Sequence, residues 1–189
     1  MSERPAARPP AARRTVCVVG AGAAGFVAAL FAARAGARVV LVEKTKAGGK
    51  KIVVSGGGRC NVLPGDVDAS RFVSASSPRV LGRILGSWPL AAQRAFFEDD
   101  LGVPLALEPE TGKLFPASNR AQDVRDALAG ACLAAGVEMR FATAVTGLHR
   151  PSGGEPGGWR VETATDVLRA DAVVLATGGL SVPNTGSDG

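Results

Sequence analysis

The sequence predicts an α/β fold built on a parallel sheet, with a small antiparallel meander attached to it. Three observations predict it. A glycine-rich turn separates a short apolar strand pattern from an Ala-rich helix pattern within residues 15–35. Apolar runs such as RVVLV and AVVLA lack polar alternation, as strands covered on both faces do. Near the carboxyl end, three short strand patterns follow one another with turn residues between them, which is the outline of a meander.

Each element follows in order. Residues 1–14 are a Pro, Ala and Arg tail without apolar periodicity and are expected to be disordered. Residues 15–19 read as a buried strand, 20–25 as a glycine turn, and 24–35 as an Ala-rich helix that Gly36 closes. Residues 38–42 form a second buried strand ending at Glu43, which completes a β-turn-α-β unit. A polar, glycine-rich loop is expected over 44–70, then two helices over 78–85 and 90–100 on either side of Pro89. Residues 102–115 read as a hairpin turning at Thr111 and Gly112. The helix expected over 119–135 has Ser118 or Asn119 available as its cap and Gly136 at its end. A third parallel strand is expected at 137–141. The meander takes residues 145–149, 159–163 and 166–170, with its first turn at 151–158. One more buried strand, 172–176, delivers Thr177, Gly178 and Gly179 at its carboxyl end.

Composition narrows the function classes. The chain has 189 residues, 46% hydrophobic and 21% charged, enough for one well-buried soluble domain. Of its formal charge of +5, Arg4, Arg8, Arg13 and Arg14 against Glu3 place a net three in the tail, so the remainder is only mildly basic. No dense Lys/Arg face and no interleaved aromatic series appears, which argues against a nucleic-acid partner. Three cysteines without C-x-x-C spacing, and a single histidine, argue against zinc and against a disulfide framework; the expected compartment is the reducing cytoplasm. Arg13-Arg14 before the uncharged stretch 15–33 has the outline of an export signal or a membrane span. Its Gly and Ala content is weakly apolar for a span, and its glycine spacing is one a signal does not need, so no membrane partner is expected.

That glycine spacing carries chemistry. VCVVGAGAAGF places Gly20, Ala21, Gly22, Ala23, Ala24 and Gly25 in G-x-G-x-x-G, directly after a strand and opening a helix. The first glycine permits the tight turn, the second lets backbone approach a pyrophosphate, and the third lets the helix lie close on the strand. A helix start presents unpaired N–H groups and about half a positive charge. Glu43 ends the second strand, where a carboxylate accepts ribose hydroxyls and repels a 2′-phosphate. An Ala- and Gly-rich unit arising from packing alone is the bland alternative, and the strand, turn, helix and acid together weigh against it. The motif does not separate NAD from FAD. The loop after Glu43 does: a plain NAD domain runs on into another crossover helix, whereas EKTKAGGKKIVVSGGGRCN is long, polar and glycine-rich.

GAGAAG with Glu43, GKKIVVSGGGRCN, GKLFPASNRAQDVRDAL and VVLATGGLSVPNTGSDG together resemble the bacterial aminoacetone oxidase-like FAD-binding flavoproteins, relatives of bile-acid 3-dehydro-4-ene reductases. The resemblance covers nearly all of the chain after residue 14. It implies a Rossmann-like FAD-binding domain of the two-dinucleotide-binding-domain type. By it, Gly20 to Gly25 hold the pyrophosphate and Glu43 the adenosine ribose. Lys44, Lys51 and the loop of Ser55, Gly56, Gly57, Gly58, Arg59, Cys60 and Asn61 pass near the pyrophosphate and flavin. Val145 touches adenine through its backbone, Ala176, Thr177, Gly178 and Gly179 lie against the cofactor, and residues 180–184 lead towards flavin and substrate. Family members run to about twice this length, so residues 15–189 are expected to be an incomplete domain, without the substrate insertion and the final FAD-binding strand. NVLPGD departs from the usual continuation after the glycine loop.

Individual side chains have competing readings. Cys60 as a redox thiol lacks a partner thiol, so packing is the favoured reading; Cys17 and Cys132 read as core residues. Arg59 and Asn61 are expected to donate to phosphate or flavin oxygens. Lys50 and Lys51 either balance the pyrophosphate or sit in solvent. GKLFPASN is expected to be a turn and a helix cap before any substrate contact.

The expected function is flavin-mediated hydride transfer on a small-molecule substrate, with NADH or NADPH as candidate donor and no assigned catalytic side chain. Two alternatives stand beside it: a truncated nucleotide-binding module without catalysis of its own, and a plain NAD-binding domain. An incomplete domain would also expose a sheet edge, open to association or to a chain supplying the missing half.

Overall fold

The computed structural model describes residues 13–150 and 158–180. The expectations for the amino-terminal tail, for most of the meander's first turn and for the path of residues 181–184 lie outside the described residues.

A four-stranded parallel sheet runs in the order β10-β1-β2-β6, from β1 (Thr15–Val19), β2 (Arg38–Val42), β6 (Glu138–Arg140) and β10 (Ala172–Leu175). Helix α1 (Ala23–Arg34) crosses from β1 to β2, and α5 (Ala121–Ala134) leads into β6. Alternation along the strands sends residues to opposite faces. Val18, Val39 and Leu41 meet Phe26, Ala29 and Leu30 of α1 and Leu128 and Cys132 of α5. Cys17, Val19, Val40 and Val42 meet Val161 and Ala170 on the other side. Those two belong to the meander β7-β8-β9, Val145–His149, Trp159–Thr163 and Val167–Ala170. Burial on both faces explains why the central strands β1 and β2 are mostly apolar. The buried strand expected at 172–176 is instead an edge strand, half covered, with Leu175 exposed.

A second antiparallel sheet has the order β3-β5-β4, from β3 (Leu63–Pro64), β4 (Leu105–Glu108) and β5 (Lys113–Pro116). Between β3 and β4 stand α3 (Pro78–Ser87) and α4 (Leu90–Ala95), the latter continuing as a π-helical turn over Phe96–Asp100. Phe31, Trp88, Phe96 and Phe97 cluster at this junction, with centroids 5.3–5.6 Å apart, three of the four pairs edge to face and Phe31–Phe96 tilted.

Two further expectations need correction. The stretch 44–70 is not a continuous loop: α2 occupies Lys50–Val54, a tight turn follows at Ser55–Gly58, and β3 pairs with β5. KKIVV has no periodicity long enough to signal a helix. It is helical in the fold, preceded by Gly49 in a left-handed conformation, with Ile52 buried in the core cluster that α5 also lines. Nor does Ser118 or Asn119 cap α5. Arg120 holds the cap position without a side-chain cap bond, while the Ser118 hydroxyl accepts from the Arg120 amide at 3.4 Å.

Candidate functional site

A cleft of about 700 Å³ opens at the carboxyl ends of β1, β2 and β10. This is the end of a parallel α/β sheet at which ligands bind, because the loops diverge there and helix amino termini point inwards. Its floor is the turn after β1. Gly20 has φ +101°, a conformation that disfavours a side chain, and a Cβ there would also strike the Ala176 carbonyl. A Cβ on Gly25 would fall on the Gly20 carbonyl oxygen, so only glycine lets α1 sit this close to the turn. Gly22 differs: a Cβ would meet nothing within 4 Å, so its bare backbone faces open cleft.

Charge in the cleft is arranged by backbone and lysine. Gly22 caps the start of α1 without a side-chain bond, the first turn holds no acid, and Ala23 and Ala24 line the cleft. Amides in a first helical turn have no intrahelical acceptor, so they are donors available to an anion. Lys44, Lys50 and Lys51 line the same space, and the Lys51 ammonium donates to the Gly179 carbonyl at 2.6 Å, tying α2 to the end of β10. Among the described residues Glu43 is the single acid in the lining. Its two carboxylate oxygens accept one amide each, from Ala21 and from Thr45, both at 2.9 Å. Those bonds fix the carboxylate on the turn and leave acceptor capacity on both oxygens.

The sequence-expected residues divide into two groups. Gly20, Ala21, Gly22, Ala23, Ala24, Glu43, Lys44, Lys51, Val145, Ala176, Thr177 and Gly178 lie together around the cleft, while Gly25 packs beneath it and Gly179 holds Lys51. The loop from Ser55 to Asn61 is not in the lining. Its Arg59 bonds to Glu108, at 2.7 Å, and lies over the Phe115 ring, 4.3 Å from the centroid. Cys60 is buried.

Lining residues that sequence reasoning missed are Thr45, Ala47, Gly49, Thr143 and Ala144, together with the strand-end residues Val19, Val42 and Leu175. Thr143 is held there by its amide bond to the Glu43 carbonyl, 2.8 Å long and spanning a hundred residues, which no local pattern reports. Thr45 and Ala47, by contrast, immediately follow the acid that ends β2 and were within reach of its position.

All three thiols are free and buried. Burial pushes Cys17 and Cys132 up to about 11, and burial also raises Cys60, against a smaller lowering by the Ser55 hydroxyl. Among the described residues no group of three or more His, Cys, Asp or Glu side chains could hold a metal ion, and no helix is long and apolar enough to cross a membrane.

The fold and this cleft define a dinucleotide-binding α/β domain of the flavoprotein class. Residues 14–189 match the HI0933-like protein Rossmann domain. The chain belongs to that family of FAD-binding oxidoreductases. It is 30% identical over 171 residues to a ribosomal RNA dihydrouridine synthase of Escherichia coli strain K12, covering 90% of this chain and 40% of the relative. It is also 30% identical over 174 residues to a 3-dehydro-bile acid delta(4,6)-reductase of Clostridium scindens, covering 91% of this chain and 41% of the relative. Among solved structures, a 3-ketosteroid-delta4-(5alpha)-dehydrogenase of Rhodococcus jostii RHA1 shares the fold with a TM-score of 0.64 at 18% identity, over 89% of this chain and 46% of that one. The chain thus spans about 40% of the length of these curated relatives.

Proposed function

We propose that the cleft holds FAD and that this chain is the cofactor-binding part of a flavin-dependent reductase. The observation that carries the reading is the pairing of the open Gly22 backbone at the start of α1 with Glu43 across the same turn. A diphosphate fits the first, because nothing occupies the space a side chain would fill and the surrounding donors are amides and ammonium groups. Ribose hydroxyls fit the second, because both carboxylate oxygens retain acceptor capacity.

Bound FAD supplies a carrier for a hydride equivalent. The chain's own residues bind and orient it. Gly20 to Ala24 receive the diphosphate, with Lys44 and Lys51 offsetting its charge. Val145 lies on the Glu43 side of the cleft, suited to adenine. Ala176 to Gly179 present small residues and bare backbone at the Lys51 side, where a ring system can lie close to main chain.

The substrate class comes from the relatives. Dihydrouridine synthase and delta(4,6)-reductase are names for one chemistry, addition of hydrogen across a conjugated carbon–carbon double bond. We infer the same reaction type here, on a small conjugated substrate, with NADH or NADPH as reductant. An RNA uridine is the second reading, favoured by the name of the Escherichia coli relative and opposed by the absence of a dense basic face.

The test is direct. The 189-residue chain is purified without added cofactor and its visible spectrum recorded before and after addition of FAD. Flavin absorbance near one equivalent per chain supports the reading, and a chain that stays colourless overturns it. Reoxidation of the reduced flavoprotein by a steroid enone, against uridine-containing RNA, separates the two substrate readings.

A further inference from the structure

The glycine loop after α2 is the motif that the cleft does not absorb. Gly56, Gly57 and Gly58 have φ of +56°, +68° and +88°, and Cys60 follows at +63°. Among the backbone bonds that close this run of left-handed residues are Cys60 amide to Ser55 carbonyl at 3.0 Å and Arg59 amide to Gly56 carbonyl at 3.4 Å. Two of the three glycines, moreover, have almost nothing around them. A Cβ on Gly57 meets no atom within 4 Å, and one on Gly58 only the Val53 carbonyl at 4.0 Å.

From outside, the loop is held by the hairpin of β4 and β5. The Arg59 guanidinium donates to Glu108 Oε1 at 2.7 Å, and Glu108 Oε2 is taken by the Thr111 hydroxyl at 2.7 Å. The same guanidinium lies over the Phe115 ring, and that ring is buried. Gly56 sits against it so closely that a Cβ would be 3.0 Å from Phe115 Cε1 and 2.9 Å from the Asn61 amide nitrogen. The loop is therefore laid on Phe115 at one end and gripped by Arg59 at the other. Its flanks differ in what they serve: α2 carries Lys50 and Lys51 into the cleft, while Val62 and β3 pair with β5. The loop is the joint between the cleft wall and the second sheet.

We propose that Arg59 is a positioning residue: through Glu108 and Phe115 it pins the glycine loop and so sets where α2 presents Lys51 to the cofactor, without touching the cofactor itself. The consequence for the cofactor rests on the FAD reading given above; the pinning does not.

The experiment separates the two. R59Q, E108Q and the R59Q/E108Q double variant are compared with the unaltered chain by hydrogen–deuterium exchange of the 55–61 amides without ligand, and by titration with FAD followed through flavin fluorescence. A pin predicts exchange about tenfold faster in each single variant, with the double variant no faster than either, since both remove one interaction. It also predicts FAD dissociation constants raised about fivefold in both, again without addition in the double variant. If R59Q weakens FAD while E108Q leaves exchange and affinity unaltered, Arg59 is a direct ligand and the proposal is overturned. Unchanged exchange in R59Q overturns it as well. Should R59Q fail to fold, R59K serves in its place, because lysine keeps the charge but loses the planar stack on Phe115. If no form takes up FAD, the exchange results alone judge the pin and the FAD reading fails separately.

Discussion

Two glycine-rich turns lie in this chain, and they are glycine-rich for different reasons. In the turn after β1, Gly20 and Gly25 are required by what surrounds them, since a side chain would strike Ala176 or the Gly20 carbonyl. In the loop after α2, Gly57 is required by its backbone angle alone, with open space beside it. The first turn is rigid through packing between neighbouring elements. The second is set by side chains from a hairpin about fifty residues further on, Glu108 and Phe115. Where glycine is needed for contact, the turn belongs to the core; where it is needed for angle only, another element must hold it.

Substitutions along the two turns sharpen that contrast. Gly25→Val forces α1 off the Gly20 carbonyl, and roughly 3 kcal/mol or more of stability is expected to be lost, read as the shift of a urea unfolding midpoint. Gly22→Val enters open cleft, so the expected change in stability is about 1 kcal/mol or less while FAD affinity falls about a hundredfold, measured by fluorescence titration. If both substitutions instead cost stability equally, the distinction between a packed and an open glycine within this turn is lost. Gly57→Ala is expected to cost about 1 kcal/mol from its left-handed angle, with no steric contribution. A much larger loss would mean that the loop is packed as tightly as the first turn.

The smallest expected effect is a pH dependence. Arg59 first, and then the Thr111 hydroxyl, hold the Glu108 carboxyl below its usual range. A carboxylate with a depressed folded-state value contributes stability that is fully present above its unfolded value, about 4.3, and is lost as pH falls through the folded one. The unfolding midpoint measured over that acid range should therefore fall less steeply in E108Q than in the unaltered chain. Identical slopes would remove the ion pair from the account of the loop.

Legibility followed the range of the interactions. β1, β2, β7 and β8 have the boundaries their apolar pattern predicts, and α1 starts one residue earlier than expected, because buried runs and the glycine turn are written in adjacent residues. α2 was not legible: a five-residue helix has too few turns for a periodic signal, its Ile and two Val residues favour strands, and Ile52 is held by the core. The cleft divides in the same way. Gly20, Gly22 and Glu43 follow from one β-turn-α-β unit, whereas Thr143 and Ala144 arrive from the far side of α5. Arg59 in a glycine loop has the composition of an anion ligand, and nothing local shows that a carboxylate forty-nine residues away engages it.

By itself the sequence determined the α/β class, the glycine turn and its acid, and the places along the chain of most sheet-forming strands, because each depends on spacing within a few turns of chain. The tertiary structure alone decided that KKIVV is a helix, that Lys51 reaches Gly179, and that Arg59 faces the hairpin. Those outcomes depend on which distant groups arrive at hydrogen-bonding distance, and chain distance carries no record of that.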